Sequence, residues 1–247
     1  MTKNNKNILI VYGVYINPNV NWKQLVKQQL QDIQKSGILK NAELHIIISN
    51  PNNVENLNAF FSTLSLPISH IQIYFENKFE YWAINHLWHT VKTSENFQYV
   101  IYLHTKGMSY YKNSRNRDEK ILTYFLFHHW KNTVSILENN AQINKVGLFP
   151  SIDPLKSDWG GWIWFNFWWA KAEYIKKVET PIESTDRYYY EHWLSLSQKN
   201  RVLSDCFSLV SFNNTLFTTH ELPKYFKMLR KKYRLLFWTR LKHFILS

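Results

Sequence analysis

Residues 99–107 read Tyr-Val-Ile-Tyr-Leu-His-Thr-Lys-Gly, YVIYLHTKG, and this junction decides how the chain is parsed. Tyr99–Leu103 is β-branched and aromatic, the composition of a buried strand. It ends abruptly at His104-Thr105-Lys106-Gly107, four polar or small residues in a row. Working back from it, the chain alternates strand and helix. Asn7–Ile16 (NILIVYGVYI), Glu43–Ser49 and Ile68–Phe75 read as strands, and Asn21–Ser36, Asn53–Leu64 and Lys78–Lys92 as helices. In the first helix Trp22, Leu25, Val26, Leu30 and Ile33 recur on one face, and Gly37 supplies the stop. Repeated units of this length predict a mostly parallel sheet covered by helices. Ligands in such sheets bind beyond the carboxyl ends of the strands, so the loops after Tyr15, Phe75 and Leu103 are expected to converge.

Working forward, the pattern is less regular. Asp118–Asn139 reads as helix and Lys145–Phe149 as strand. Trp159–Trp169 is a dense aromatic block, WGGWIWFNFWW, that runs into an expected helix at Ala170–Val178, and a further helix is expected over Asp186–Gln198. No internal repeat and no linker interrupts the chain before Pro223, which gives one α/β domain over 1–223 and a tail over 224–247.

The composition supports a packed domain. Of 247 residues, 45% are hydrophobic, which excludes a disordered chain, and only 6 are glycine, which argues against Gly-rich phosphate loops. One cysteine, Cys206, excludes a disulfide framework and a cysteine-based zinc site and suits a reducing cytoplasm. The ten histidines show no metal-ligand spacing, since His128-His129 cannot share one helical face, and no metal site is expected. No stretch has the length of a secretory leader's apolar region or of a membrane span.

Charge is unevenly placed. Eight of the cations lie between Lys224 and the C-terminus with no acid among them, which leaves +4 of the net +12 on the other 223 residues. Phe226, Leu229, Tyr233, Phe237, Leu241 and Phe244 recur at spacings of three or four in that tail. A basic amphipathic helix with Lys231, Lys232 and Arg234 toward an anionic membrane and Trp238 at headgroup level is the expectation. A helix packed on the domain with a solvated basic side is the alternative.

The loop after Leu103 has the chemistry of an anion site: lysine as a point charge, threonine as a donor, glycine for close approach. A solvated lysine at a plain strand end accounts for the same spacing. The sequence resembles a group of bacterial and viral glycosyltransferases with a GT-A-like (Rossmann-like) nucleotide-sugar domain. The resemblance is carried by YVIYLHTKG and by Asn166-Phe167-Trp168-Trp169-Ala170. It is supported by the VYGVYI strand before Trp22, Gln29-Leu30, Ser36-Gly37, Phe79-Glu80, and Arg187 with Glu191-His192-Trp193-Leu194. It spans Asn7 to Leu194. The chain departs from the family at Phe165, where the family has glycine, and at Gly13, where it tends to have histidine.

The resemblance implies a donor site at Tyr12, Gly13, Glu80, His104, Thr105, Lys106, Gly107 and Arg117. For an acceptor site, sugar stacking on the aromatic block offers Trp159 and Trp162 beside Gly160-Gly161, and the resembling segment offers Asn166 and Trp168. His104-Thr105-Lys106 stands where the wider class carries a metal-binding Asp-x-Asp. A histidine and a lysine hold a hard divalent cation poorly. Lys106, with Arg115 or Arg117, is therefore expected to neutralise the diphosphate without a cofactor, Mn or Mg remaining open; the two arginines also read as a solvated cluster. Glu191 is the first choice for the base that takes the acceptor proton, with Asp153 and Asp158 as rivals and an ion pair to Arg187 as its plain structural role. Core packing competes with sugar stacking for every tryptophan.

The expected function is transfer of a sugar from a nucleotide donor to a capsule- or lipopolysaccharide-type envelope glycan or lipid-linked acceptor, by a peripheral protein on the cytoplasmic face of the membrane. A non-catalytic glycan- or nucleic-acid-binding module and an inactive transferase-like domain are the alternatives. Nucleic acid is not expected as a partner, because the body is only modestly basic and its aromatics are not interleaved with cations.

Overall fold

The computed structural model describes residues 6–106, 108, 117–152, 160–186, 188–197, 205–210 and 217–232. Gly107, Arg115, Asp153, Asp158, Trp159, Arg187, Arg234 and Trp238 lie outside them, as does the tail from residue 233 onward.

The chain is an α/β fold with a mostly parallel, seven-stranded mixed sheet flanked by helices, an arrangement compatible with a Rossmann-like architecture. β1 (Ile8–Tyr15) lies at the centre of the parallel part, hydrogen-bonded to β2 (Ala42–Ser49) on one side and β4 (Tyr99–His104) on the other. β3 (Ile68–Tyr74) adds outside β2, also parallel. Both faces of β1 are buried, which is why it reads as a continuous apolar run. Ile8, Ile10, Tyr12 and Val14 pack toward α1 (Trp22–Lys35), and Leu9 and Val11 toward α3 (Tyr81–Thr93).

α1 forms as its pattern requires. Asn21 caps it by accepting from Gln24 N, its five expected apolar residues are buried, and Gly37 follows in the left-handed region at φ +74°. α2 (Leu57–Ser62) is shorter than the expected Asn53–Leu64, because Asn53 and Asn56 take positive φ before it.

The second half departs more. The helix expected over Asp118–Asn139 is two, α4 (Arg117–Phe127) and α5 (Trp130–Asn139), broken at His128-His129. β5 (Lys145–Gly147) is followed by a two-stranded pair, β6 (Pro150–Ser151) with β7 (Trp162–Ile163). The helix expected from Ala170 begins two residues later, as the short α6 (Ala172–Ile175). Trp168–Lys171 is instead β8, inserted antiparallel between β4 and β5, where its backbone pairs on both edges and Trp168, Trp169 and Ala170 are buried. The helix expected over Asp186–Gln198 contracts to one turn, α7 (Tyr189–His192), continued by a 3-10 turn to Ser195. β9 (Cys206–Ser208) closes the sheet beside β5.

The described start of the tail is a helix, α8 (222–232). Leu222, Phe226 and Leu229 are buried in the core, and the Phe226 ring lies 4.9 Å from Phe149 and 5.2 Å from Phe165. Arg230 pairs with Asp118 at 3.2 Å. The apolar face expected to meet lipid is thus turned to the domain over this stretch, and a boundary at Pro223 does not separate it from the body. Lys231 and Lys232 are exposed.

Sequence reasoning also missed a buried ion pair. Lys145 Nζ, fully buried, meets Asp205 at 2.9 Å, Gly161 O at 2.7 Å and Tyr174 Oη at 2.9 Å. It ties β5 to the segment before β7, to α6 and to the start of β9. Among the described residues no helix is long and apolar enough to cross a membrane.

Candidate functional site

β1, β2 and β4 run parallel and in register, so their carboxyl ends finish together. A cavity of about 260 Å³ opens there, lined by Gly13, Val14 and Tyr15 of β1, Ile47 and Ser49 of β2, and Tyr102 and His104 of β4. Thr105, Lys106 and Met108 follow from β4; Asn77, Phe79, Glu80, Trp82 and Ala83 come from the loop before α3 and its first turn; Glu191 reaches in from α7.

The β1 and β4 ends are stapled together. Thr105 N donates to Gly13 O, and Thr105 Oγ1 accepts from Tyr15 N, both at 2.9 Å. Gly13 sits in a close approach: a Cβ there would lie 3.1 Å from Ala83 Cβ and 3.2 Å from Tyr102 Oη, so a side chain would need these neighbours to give by a few tenths of an ångström. Thr105 therefore holds the strand ends with an oxygen the sequence suggested for a ligand.

His104, Glu80 and Glu191 form the polar wall. Burial, then the nearby Lys106 ammonium, push His104 down to about 4, so at neutral pH the ring is uncharged. A carbonyl can only accept, so His104 Nε2 carries the hydrogen and donates to Phe165 O at 3.2 Å; Nδ1 faces Glu80 Oε1 at 3.7 Å. Glu80 Oε2 accepts from Tyr102 Oη at 3.0 Å and from Asn166 Nδ2 at 2.9 Å. Burial first, and Glu80 second, hold the Tyr102 phenol well above its usual range, so it remains a donor. Glu191 Oε2 accepts from Phe165 N at 2.9 Å. Its carboxyl is raised above the usual range by burial and then by the Glu80 charge, with Lys106 and His104 pulling the other way. Lys106 Nζ rests 4.2 Å from the centre of the Phe165 ring.

The structure brings together Gly13, Glu80, His104, Thr105, Lys106 and Glu191 of the residues singled out by sequence. Tyr12 is not with them. Side chains alternate along a strand, so Tyr12 faces α1, donates to Gln29 Oε1 at 2.5 Å and is fully buried. Arg117 is exposed at the head of α4 and does not line the cavity. Trp162 and Trp168 are core residues, 2% and 0% exposed, and offer no face to an acceptor. Asn166 is buried behind Glu80 and does not reach the cavity.

Sequence reasoning did not assign Trp82 to the site, nor Tyr102 and Phe79, although these two lie in stretches that carry the resemblance. Phe79 is 45% exposed with φ +52°, an aromatic held at the mouth in the left-handed region. Trp82 stacks on Tyr74 at 3.9 Å with Lys78 4.6 Å from its ring. The signal for both was topological, since the loop after β3 ends at the same edge. Among the described residues no group of three histidine, cysteine or acidic side chains is placed to hold a metal ion. No protein-family model matches the chain, and no curated protein matches it.

Proposed function

We propose that the chain is a glycosyltransferase of hexosyltransferase type that takes its sugar from a nucleotide donor bound in the strand-end cavity. The observation that carries this reading is that the Lys106 ammonium and the buried Glu191 carboxyl, whose pKa burial raises, line one cavity. The resemblance of YVIYLHTKG and Asn166–Ala170 to bacterial and viral transferases supports it from the sequence side.

In this reading Lys106 swings from the Phe165 ring to the donor diphosphate and offsets the charge that grows on the departing nucleotide, the electrostatic work a metal does elsewhere in the class. Glu191 takes the proton of the attacking acceptor hydroxyl, for which a raised carboxyl pKa is suited. Phe79 and Trp82 supply apolar faces for the base or for a sugar ring. The acceptor is an envelope glycan or a lipid-linked saccharide, and the exposed Lys224, Lys227, Lys231 and Lys232 on α8 favour an anionic membrane surface on the cytoplasmic side.

A thermal-shift series with nucleoside diphosphates and nucleotide sugars, in EDTA and with added Mn²⁺, tests this. A ligand at a hundredfold excess over its Kd stabilises by about 2.7 kcal/mol. A rise with one nucleotide class that persists in EDTA is the expected outcome. A rise only with Mn²⁺ reassigns the charge role from Lys106 to a metal. No rise with any donor refutes the transferase reading.

A further inference from the structure

Phe165 and Asn166 are consecutive non-glycine residues with left-handed backbone, φ +72° and +52°. Each costs about 1–2 kcal/mol, and such residues persist where their surroundings over-determine them. This turn touches three titratable groups at once. The main chain of Phe165 receives the His104 hydrogen bond and gives its own N–H to Glu191. The side chain of Asn166 donates at 2.9 Å both to Glu80 Oε2 and to Tyr190 O, and accepts from Trp168 Nε1 at 3.1 Å. In an extended strand the next side chain would point away. The left-handed turn lets the peptide at 165 and the amide at 166 serve one constellation.

The two carboxyl groups are held differently. Glu80 Oε2 has two donors, Tyr102 and Asn166, and donors to a carboxylate favour its charged form. Glu191 is held by one main-chain donor from the strained turn and lies in the field of Glu80. Among the described residues, the charged and titratable groups around the pair include Tyr102 and His104 on β4, Lys106 after it, Tyr190 on α7 and, beyond His104, Glu119 on α4.

We infer that Asn166 is a positioning residue: by holding the Glu80 carboxylate at the start of α3 while its own turn holds Glu191, it makes Glu191 the carboxyl that takes and returns the proton. This rests on the proposed role of Glu191 as the base. Asn166 itself touches no reacting atom and acts through Glu80.

The test is ¹³C NMR titration of the glutamate carboxyls in the ligand-free full chain, with Glu80 and Glu191 assigned from Glu80→Gln and Glu191→Gln. Asn166→Asp replaces a donor by a like charge. Asn166→Gly removes the donor, adds no charge and relaxes the left-handed backbone. It also takes a partner from Tyr190 O and Trp168 Nε1, and circular dichroism identifies which variants keep the fold. The Glu80 midpoint is expected to move upward in both, and the Glu191 midpoint to move upward as well in Asn166→Asp. A folded variant of lower Tm with both midpoints at their wild-type positions overturns the inference and leaves Asn166 a packing residue. Because no nucleotide enters the titration, its outcome is independent of donor binding. Failure of wild-type protein to bind any nucleoside diphosphate counts against the transferase reading alone.

Discussion

Lys106 Nζ lies 4.2 Å from the centre of the Phe165 ring, and the same residue's N–H is bonded to Glu191. The cation expected to meet a diphosphate is therefore parked on the residue that holds the expected base. A contact of this kind at a partly exposed site is worth about 0.5–1 kcal/mol, weak enough for an anion to displace. Lys106→Ala is expected to lower nucleoside-diphosphate affinity by about tenfold or more, with Tm nearly unchanged. Calorimetric titration checks it, and wild-type affinity in the variant removes Lys106 from the donor site.

Glu191→Gln is expected to keep donor binding and to lower transfer by about 10²–10⁴-fold. The same substitution is expected to raise Tm at neutral pH. The folded-state pKa of Glu191 is raised, so its ionised form is disfavoured in the fold relative to the unfolded chain, and removing the charge relieves that cost. Transfer by the wild type is expected to fall as pH drops through the raised value. Rate and melting measured together on this one variant separate a base from a structural carboxylate, which would lose stability on substitution.

Three histidines cluster on the α3 side of the sheet, below the cavity. His45 Nδ1 and His86 Nε2 are 2.9 Å apart, and the His70 and His86 rings stack at 4.7 Å. Burial first, and neighbouring histidines second, push His45 and His86 each from 6.5 to about 4. The unfolded chain thus binds protons that the fold refuses. Stability is expected to be full above about pH 6.5, to fall as pH drops toward 4, and to level off below it. Allowing for their partial exposure, the pair accounts for a loss on the order of 2 kcal/mol. His104 adds to it in the same direction. Denaturant melts at several pH values check the slope, which His86→Gln is expected to flatten.

Lys145→Met is expected to cost about 3–5 kcal/mol, because it leaves Asp205 buried without its cation. Lys145→Met combined with Asp205→Leu is expected to recover much of that. Urea denaturation of the single and double variants decides whether the pair fastens β5 to β9; equal stabilities would show that it does not.

Two truncations separate the parts of the tail. Ending the chain at residue 232 is expected to leave Tm intact and to weaken binding to anionic vesicles. Ending it at residue 221 exposes the core sites of Leu222, Phe226 and Leu229, each worth about 1.5–3 kcal/mol, and is expected to destabilise the domain severely. Undiminished vesicle binding by the first truncation removes the membrane role of 233–247.

The sequence by itself determined the first half of the sheet and the place of the loop after β4, and it singled out Lys106, His104 and Glu191, which the structure brings to one cavity. Those strands are buried on both faces and each is followed by its own covering helix, so local composition and helical period carry the fold. Only the tertiary structure decided the rest. Trp168–Lys171 is a strand because two distant edges, β4 and β5, both lack a partner there, and no local pattern records that. Tyr12 and Gly13 are adjacent in sequence and on opposite sides of the sheet, a consequence of strand alternation that places one in the core and the other at the cavity. The Phe165–Asn166 turn is marked in the sequence only by Phe165 standing where the resembling family has glycine, since its left-handed backbone is held by hydrogen bonds with His104 on β4, Glu80 before α3, and Tyr190 and Glu191 on α7. Burial acted the same way on the tail, where a basic amphipathic repeat suits a lipid surface and a protein core equally, and over 222–232 the neighbouring Phe149 and Phe165 settled which it meets.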